Sequence, residues 1–270
     1  MMTEESRKIL LAEDNVVNQK VVTLLLKQLG LTFDVVDSGQ KAVQAVQKSV
    51  YSMILMDCQM PEMDGFEATK AIRKLESLRG TYTPIVAVTA LAMVGDKERC
   101  IAAGMDDYMS KPIDRHMLKI KLDHWLQKDI VQKNQDLARK FAPQDSVANE
   151  DIPIDFNELK EFYGADMSDV LATYVENTDK LLVDISKAIL DRKETQLAYM
   201  AHELKGSSAS VGAKGIAKLG LFLERAVGIN DWRDARDTFA SLNLSWDKTK
   251  QFIKQEQQGS HEDVILPRTD

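Results

Sequence analysis

The sequence predicts two domains of different classes. The first is an α/β domain built on a doubly wound, parallel, five-stranded sheet, and the second is an all-α four-helix bundle. A length of 270 residues suits two domains. The first half of the chain alternates short apolar runs with amphipathic stretches, which indicates successive βα units. From about residue 154 the pattern is helical throughout with short connections, which is typical of a bundle.

The first domain is predicted to contain five βα units. Its apolar runs are continuous rather than alternating, as in strands of a sheet that is covered on both faces. The predicted strands lie near residues 8–12, 33–36, 53–57, 84–89 and 106–109. The predicted helices lie near residues 16–29, 39–48, 65–77, 94–103 and 114–127.

The second domain is predicted to be helical from end to end. The predicted helices lie near residues 156–162, 167–190, 194–210, 213–227 and 232–257. The domain boundaries that follow are a first domain at 7–128, a polar linker at 129–152, a second domain at 153–257 and a disordered tail at 258–270.

The charge of the chain is uneven. Residues 1–128 carry 17 Lys and Arg against 17 Asp and Glu, whereas the remainder carries 18 against 25 and so accounts for the net charge of −7. A domain that binds nucleic acid should carry a basic patch, so this acidic second half argues against DNA binding. No apolar run is long enough for a membrane span, the N-terminus does not resemble a signal peptide, and the two cysteines form no metal or disulfide pattern. We therefore expect a cytoplasmic location.

Polar residues stand at the ends of four predicted strands. Glu13 and Asp14 follow one apolar run, Asp57 closes another, Thr89 ends a third, and Lys111 follows the last. In an open parallel sheet the carboxyl ends of the strands build the ligand site. Three carboxylates, a hydroxyl and an ammonium at that edge suit a hard cation and a phosphoryl group. Each residue alone is ambiguous, since an acid pair before a helix often only caps it.

The set and its order resemble a response-regulator receiver domain. Glu-Asp at 13–14, Asp57, Met-Pro-Glu-Met-Asp-Gly at 60–65, Thr-Ala at 89–90 and Lys-Pro at 111–112 stand where that family has its hallmark residues. The resemblance implies a flavodoxin-like fold with strand order 2-1-3-4-5. It also implies a Mg²⁺ site formed by Asp14, Asp57 and the backbone carbonyl of Gln59, with Glu13 assisting through water.

The resemblance further implies roles in phosphoryl transfer. Asp57 would be the nucleophile and phosphoacceptor, and Lys111 together with Mg²⁺ would neutralise charge on the phosphoryl oxygens. The Thr89 hydroxyl would bind the new phosphoryl group and draw residues 89–91 inward, which lets Tyr108 turn in as a switch. An alternative for Tyr108 is a half-buried strand aromatic without a switching role.

A second candidate site is centred on His202. Small or apolar residues at 197, 201, 204, 208 and 211 mark the buried stripe of its helix. At about 100° per residue, His202 is expected to point about 140° away from this stripe, into solvent. A glycine inside a helix is costly, so Gly206 is interpreted as leaving room for a partner, and Lys205 as countering phosphate charge. No acid or nucleophile near His202 in the sequence suggests a catalytic triad.

The stretch His-x-x-Lys-Gly-Ser-Ser-Ala at 202–209 resembles histidine phosphotransfer (HPt) domains. Together the two resemblances imply a two-component phosphorelay protein. Asp57 would receive phosphoryl from an upstream phosphohistidine, and His202 would exchange it with the chain's own receiver or a partner's. The implied partners are a histidine kinase or other phosphohistidine donor and a downstream receiver domain.

Two questions stay open at this point. The chain carries no ATP-binding boxes of a histidine kinase, so it is either a free-standing phosphotransfer protein or the C-terminal part of a hybrid kinase. The alternative function is a phosphorylation-switched binding module, in which the helical bundle is an interaction surface and His202 is incidental.

Overall fold

The structure is a computed structural model that describes residues 8–89, 96–126 and 153–262. The described residues fall into two compact units, one on each side of residue 150. The predicted linker at 129–152 and the last eight residues of the chain lie outside the described residues.

The first unit is a five-stranded parallel sheet with strand order β2-β1-β3-β4-β5. Its strands are β1 (Lys8–Ala12), β2 (Thr32–Val36), β3 (Met53–Asp57), β4 (Ile85–Thr89) and β5 (Asp107–Ser110). Its helices are α1 (Val16–Gln28), α2 (Gly39–Lys48), α3 (Gly65–Arg79), α4 (Asp96–Ala103) and α5 (Arg115–Leu126). This confirms the predicted flavodoxin-like α/β class.

The three central strands form the core of this unit. Every residue of β3 and β4 is buried, as are the last four residues of β1. Residues that alternate along a strand face opposite sides of the sheet, so burial of all of them requires cover on both faces. The helices supply that cover, which explains why these strands appear as continuous apolar runs.

Polar caps and one arginine network fix the ends of the elements. Asn15, Ser38 and Asp64 each accept backbone N–H bonds at the start of α1, α2 and α3. At the end of the sheet away from these caps, Arg73 donates to the Gly104 carbonyl at 2.8 Å and pairs with Asp106 at 2.7 Å. It also pairs with the buried Glu76. The network ties α3 to the segments that precede β4 and β5.

The second unit is a four-helix bundle with one short additional helix. The elements are α6 (Phe156–Tyr163), α7 (Met167–Leu190), α8 (Glu194–Ser210), α9 (Lys214–Gly228) and α10 (Trp232–Glu262). Each of α7 to α10 packs on two of the others, and short turns join them. Tyr174 and Trp246 meet edge to face in the core with centroids 5.4 Å apart, and Trp246 donates to Asp179 at 2.7 Å.

One helix is longer than predicted. Helix α10 continues to Glu262, whereas the predicted helix ends at 257 and is followed by a predicted disordered tail from 258. The expectation of disorder rested on the polar composition of the tail, but polar residues are compatible with an exposed helix, and the one glycine of this stretch costs a helix only about 1 kcal/mol. Residues 263–270 of the predicted tail lie outside the described part of the chain.

Candidate functional site

The carboxyl ends of the parallel strands bring the predicted residues of the first unit to one edge. Asp57 is the last residue of β3 and Thr89 the last of β4. Glu13 directly follows β1, and Lys111 directly follows β5, where its N–H donates to the Thr89 carbonyl at 2.7 Å. The Lys111–Pro112 peptide bond is cis. Strand register therefore converts four distant sequence positions into one site.

Three carboxylates crowd together at this edge. Glu13, Asp14 and Asp57 each offer an oxygen, and these oxygens lie within 4.8 Å of one another. Glu13 is 1% exposed and Asp57 is 2% exposed. The Lys111 ammonium lies 2.7 Å from Asp57 Oδ2 and 2.7 Å from Glu13 Oε2. Three negative charges against one positive charge leave an excess of two when all are ionised.

The pKa values follow from this crowding. Burial and the Glu13 charge raise the pKa of Asp57 well above its ordinary value, although Lys111 opposes both. Burial disfavours the Lys111 ammonium, but the Glu13 and Asp57 carboxylates outweigh that effect and raise the pKa of Lys111. Lys111 therefore stays protonated, and the remaining negative charge of the site attracts a further cation.

The donor set fits a divalent cation. All three groups are oxygen donors, and hard cations such as Mg²⁺ and Ca²⁺ prefer oxygen ligands. Glu13 Oε2 is buried and accepts no hydrogen bond with proper geometry from the described residues, despite its contact with Lys111. A doubly charged ion would neutralise the excess negative charge, and a water bound to that ion would donate to this oxygen.

Glutamine and asparagine side chains and backbone groups around the cluster hold it in place. Asn18 donates to Glu13 Oε1 at 3.0 Å, and Gln19 donates to the Glu13 carbonyl at 2.6 Å. The Gln59 N–H donates to Asp57 Oδ1 at 3.1 Å. The sequence analysis named Gln59 but missed Asn18 and Gln19. Both stand in the first turn of α1, shortly after Glu13 and Asp14, and this position was the available signal.

The loop that follows Asp57 is held between two glycines. A Cβ on Gly65 would fall well inside contact distance of the Asp57 carbonyl, and one on Gly39 would do the same to the Met63 carbonyl. The Gly65 N–H closes the loop by donating to the Cys58 carbonyl at 3.2 Å. Only glycine allows α2 and α3 to approach this loop so closely.

Thr89 and Tyr108 lie beside the cluster on β4 and β5. Thr89 is buried, while Tyr108 is partly buried against the core and has the Lys121 ammonium 5.8 Å from its ring centroid. Of the segment that the switch is predicted to move, residues 89–91, the last two residues lie outside the described part of the chain. The switching role of Thr89 and Tyr108 stays a prediction.

The second candidate site lies between α8 and α9. His202 Nδ1 is 3.0 Å from Glu224 Oε1, and Lys205 Nζ donates to Glu224 Oε2 at 2.5 Å. An ionised carboxylate only accepts hydrogen bonds, so Nδ1 carries the proton and a neutral imidazole has its lone pair on Nε2. Burial opposes ionisation of Glu224, but the bonds from His202 and Lys205 lower its pKa to about 2.

Two expectations for this site are wrong. The His202 side chain does not point into solvent and is only 12% exposed. Helix α9 packs against the side of α8 that carries His202, beside the apolar stripe. Gly206 is buried and does not form an open patch. Sequence reasoning also missed Glu224, which lies 22 positions from His202. The signal it overlooked was an acid among the buried residues Leu223, Ala226 and Val227 of α9.

Comparisons with known proteins identify two families in the chain. The response regulator receiver domain family matches residues 9–123, and the Hpt domain family matches residues 169–253. Within residues 8–89, 96–126 and 153–262, none of the helices combines the length and the hydropathy that a membrane span requires.

Individual relatives match one or both parts. The sensor histidine kinase GacS of Pseudomonas protegens is 30% identical over 251 residues, which cover 90% of this chain and 26% of that protein. The hybrid signal transduction histidine kinase B of Dictyostelium discoideum is 47% identical over 129 residues, or 44% of this chain and 7% of that protein. The chain therefore spans about a quarter or less of the length of these curated relatives.

Among solved structures, the receiver domain of sensor histidine kinase PA1611 from Pseudomonas aeruginosa, with a magnesium ion in its active site cleft, is 44% identical. The match covers 45% of this chain and 98% of that one, with a TM-score of 0.42. The two family matches show that the chain contains a response regulator receiver domain at residues 9–123 and an Hpt domain at residues 169–253.

Proposed function

We propose that the chain passes phosphoryl groups in a multistep His–Asp phosphorelay of a two-component system. Asp57 would accept a phosphoryl group from an upstream phosphohistidine, and His202 would exchange one with this receiver or a partner's. The single observation that carries the proposal is the presence of both domains in one chain, each with its acceptor in a suitable setting.

Magnesium would be held by Asp14, Asp57 and the Gln59 backbone carbonyl, with Glu13 assisting through water. The fit rests on the three oxygen donors and their excess negative charge. When bound, the ion would supply positive charge to the phosphoryl oxygens and relieve repulsion between the carboxylates.

Asp57 would act as the nucleophile. One of its carboxylate oxygens forms the new O–P bond while the N–P bond of the donor phosphohistidine breaks, and the departing imidazole nitrogen keeps the bonding electron pair. Lys111 already lies 2.7 Å from Asp57 and would stabilise the charge on the transferred group. Thr89, at the next strand end, would bind the phosphoryl oxygens through its hydroxyl.

His202 would react through Nε2, because Nδ1 is engaged with Glu224. Glu224 fixes the tautomer and stabilises the positive charge that the imidazole gains when phosphorylated, as an acid does for a histidine elsewhere in catalysis. Lys205 is held beside the same carboxylate and is available for the phosphate oxygens. Gly206, being buried, would support the packing of α8 and not the access of a partner.

The partners we propose are a histidine kinase or another phosphohistidine donor, and a downstream receiver domain. The similarity to long sensor and hybrid kinases favours a role as one part of such a protein, whose site of action would be the cytoplasm. The kinase reaction with ATP would belong to a part of the protein outside this sequence.

The test is phosphotransfer with labelled donors. Acetyl phosphate and Mg²⁺ should label the wild-type receiver with an alkali-labile acyl phosphate that Asp57→Asn lacks. A phosphorylated donor should also produce an acid-labile, alkali-stable label that His202→Gln lacks while Asp57 is still labelled. Wild-type protein without any histidine label would instead favour the switched binding module.

A further inference from the structure

Helices α8 and α9 form the most extensively packed helix pair of the bundle. Lys205 on α8 lies opposite Gly220 on α9. A Cβ added to Gly220 would lie 3.0 Å from the Lys205 nitrogen, 3.1 Å from its Cα and 3.2 Å from its Cβ. The backbones of the two helices are therefore as close at this point as the absence of a side chain permits.

This close contact lies one helical turn from the histidine site. From Lys205, three residues back along α8 lead to His202, and from Gly220, four residues forward along α9 lead to Glu224. Short turns make neighbouring helices antiparallel, so these two steps run in the same direction in space. The Lys205–Gly220 contact and the His202–Glu224 contact therefore lie one helical turn apart along the same interface between α8 and α9.

Both carboxylate oxygens of Glu224 are already engaged, so a small shift of its helix would lengthen these contacts. Its two oxygens are divided between His202 Nδ1 at 3.0 Å and Lys205 Nζ at 2.5 Å. A methyl group at position 220 would meet backbone atoms, so the helices would have to separate by a few tenths of an ångström. That displacement would be transmitted directly to both contacts, since Glu224 stands on the same face one turn away.

We propose that Gly220 is a positioning residue for the phosphoacceptor histidine, because it sets the α8–α9 spacing at which Glu224 reaches His202 and Lys205. The proposal rests on the proposed function of His202. It assigns Gly220 no contact with the phosphoryl group, and its effect is exerted through Glu224.

The test compares Gly220→Ala with Gly228→Ala in the full chain. Gly228 lies on the same helix, but a Cβ there would meet nothing within 4 Å. Imidazole ¹⁵N spectra, assigned with His202→Gln, report the fraction of His202 that carries its proton on Nδ1. We expect Gly220→Ala to lower that fraction and to slow phosphotransfer at His202 by about tenfold, as expected for a small misplacement of a reacting group. Gly228→Ala should match wild type in both measurements.

A double-mutant cycle separates positioning from general damage. In a Glu224→Ala background, Gly220→Ala should slow transfer no further, because the glycine acts through the missing carboxylate. Wild-type tautomer and rate in Gly220→Ala would overturn the proposal, as would losses that add in the double mutant. A Gly220→Ala protein that no longer folds would also overturn it, since the glycine would then serve the whole bundle. If wild-type His202 is never phosphorylated, the proposed function fails, while the spectra still test the glycine.

Discussion

Replacing Glu224 by glutamine should destabilise the helical bundle at neutral pH and have little effect near pH 2. The wild-type carboxylate joins α9 to α8 through His202 and Lys205. Glutamine keeps the size of the side chain but removes its charge, and it leaves the Lys205 ammonium, which is largely buried, without an ionic partner. The expected loss is therefore electrostatic.

The magnitude follows from the Glu224 pKa. Burial by itself would raise this pKa, but the bonds from His202 and Lys205 lower it from 4.5 to about 2. At about 1.4 kcal/mol for each pKa unit, the full difference corresponds to roughly 3.5 kcal/mol. Glu224 keeps 27% of its side chain exposed, and solvent screening reduces the expected contribution to about 2 kcal/mol.

The sign of the pH dependence follows as well. The pKa of Glu224 is lower in the folded than in the unfolded protein, so its contribution is complete above about pH 4.5 and is lost as the pH falls through about 2. The free energies of unfolding of wild type and Glu224→Gln should therefore differ by about 2 kcal/mol at pH 7 and converge near pH 2.

Urea unfolding in a Trp125→Phe background provides the assay. Without Trp125, the tryptophan fluorescence comes only from Trp232 and Trp246, of which Trp246 is buried in the bundle. It therefore follows unfolding of the bundle. Glu176→Gln is the matched control, because Glu176 pairs with Lys180 on the same bundle but both are 71% exposed. The control should change stability far less. A difference at pH 7 no larger than that of the control, or one that persists unchanged at pH 2, would refute the reasoning.

Three further outcomes are expected in the receiver. Asp14→Asn removes one of three crowded carboxylates, so it should raise the melting temperature by a few degrees without metal and weaken Mg²⁺ binding in a calorimetric titration; unchanged Mg²⁺ affinity would remove Asp14 from the ligand set. Gly65→Ala should lower both receiver stability and Mg²⁺ affinity in a titration, since its methyl group collides with the Asp57 carbonyl; wild-type affinity would contradict this. Arg73→Ala removes the cationic partner of the buried Glu76, to which, among the described residues, only the Thr83 N–H still donates, and should cost roughly 3–5 kcal/mol in urea unfolding. Mg²⁺ affinity should be retained in the folded protein, and a loss below about 1 kcal/mol would show that the network is dispensable.

The receiver was predictable because local signals and topology agree. A strand such as Met53–Asp57 is apolar throughout and ends in the functional acid, so locating the strand also locates the site. Parallel strands then bring Glu13, Asp57 and Lys111 to one edge without any knowledge of side-chain packing.

The histidine site was predictable only in part. Helix periodicity places His202 relative to the apolar stripe of its own helix, but it does not say which neighbour covers the remaining flank. The pairing with Glu224 depends on the register between α8 and α9, which no short motif encodes. For the same reason the burial of Gly206 escaped a single-helix argument. Tertiary contacts between helices decide these features.

The two glycines around the Asp57 loop have a consequence for sequence variation. Gly39 and Gly65 carry no functional group, yet any side chain at either position would press on a carbonyl of the loop that holds the phosphoacceptor. In a library of all single substitutions, these two positions should tolerate as little change as the acids themselves. Positions that tolerate no mutation in this domain would therefore include glycines that shape the loop as well as residues that bind the ion or the phosphoryl group. A survey of variants alone would not distinguish these two kinds of residue.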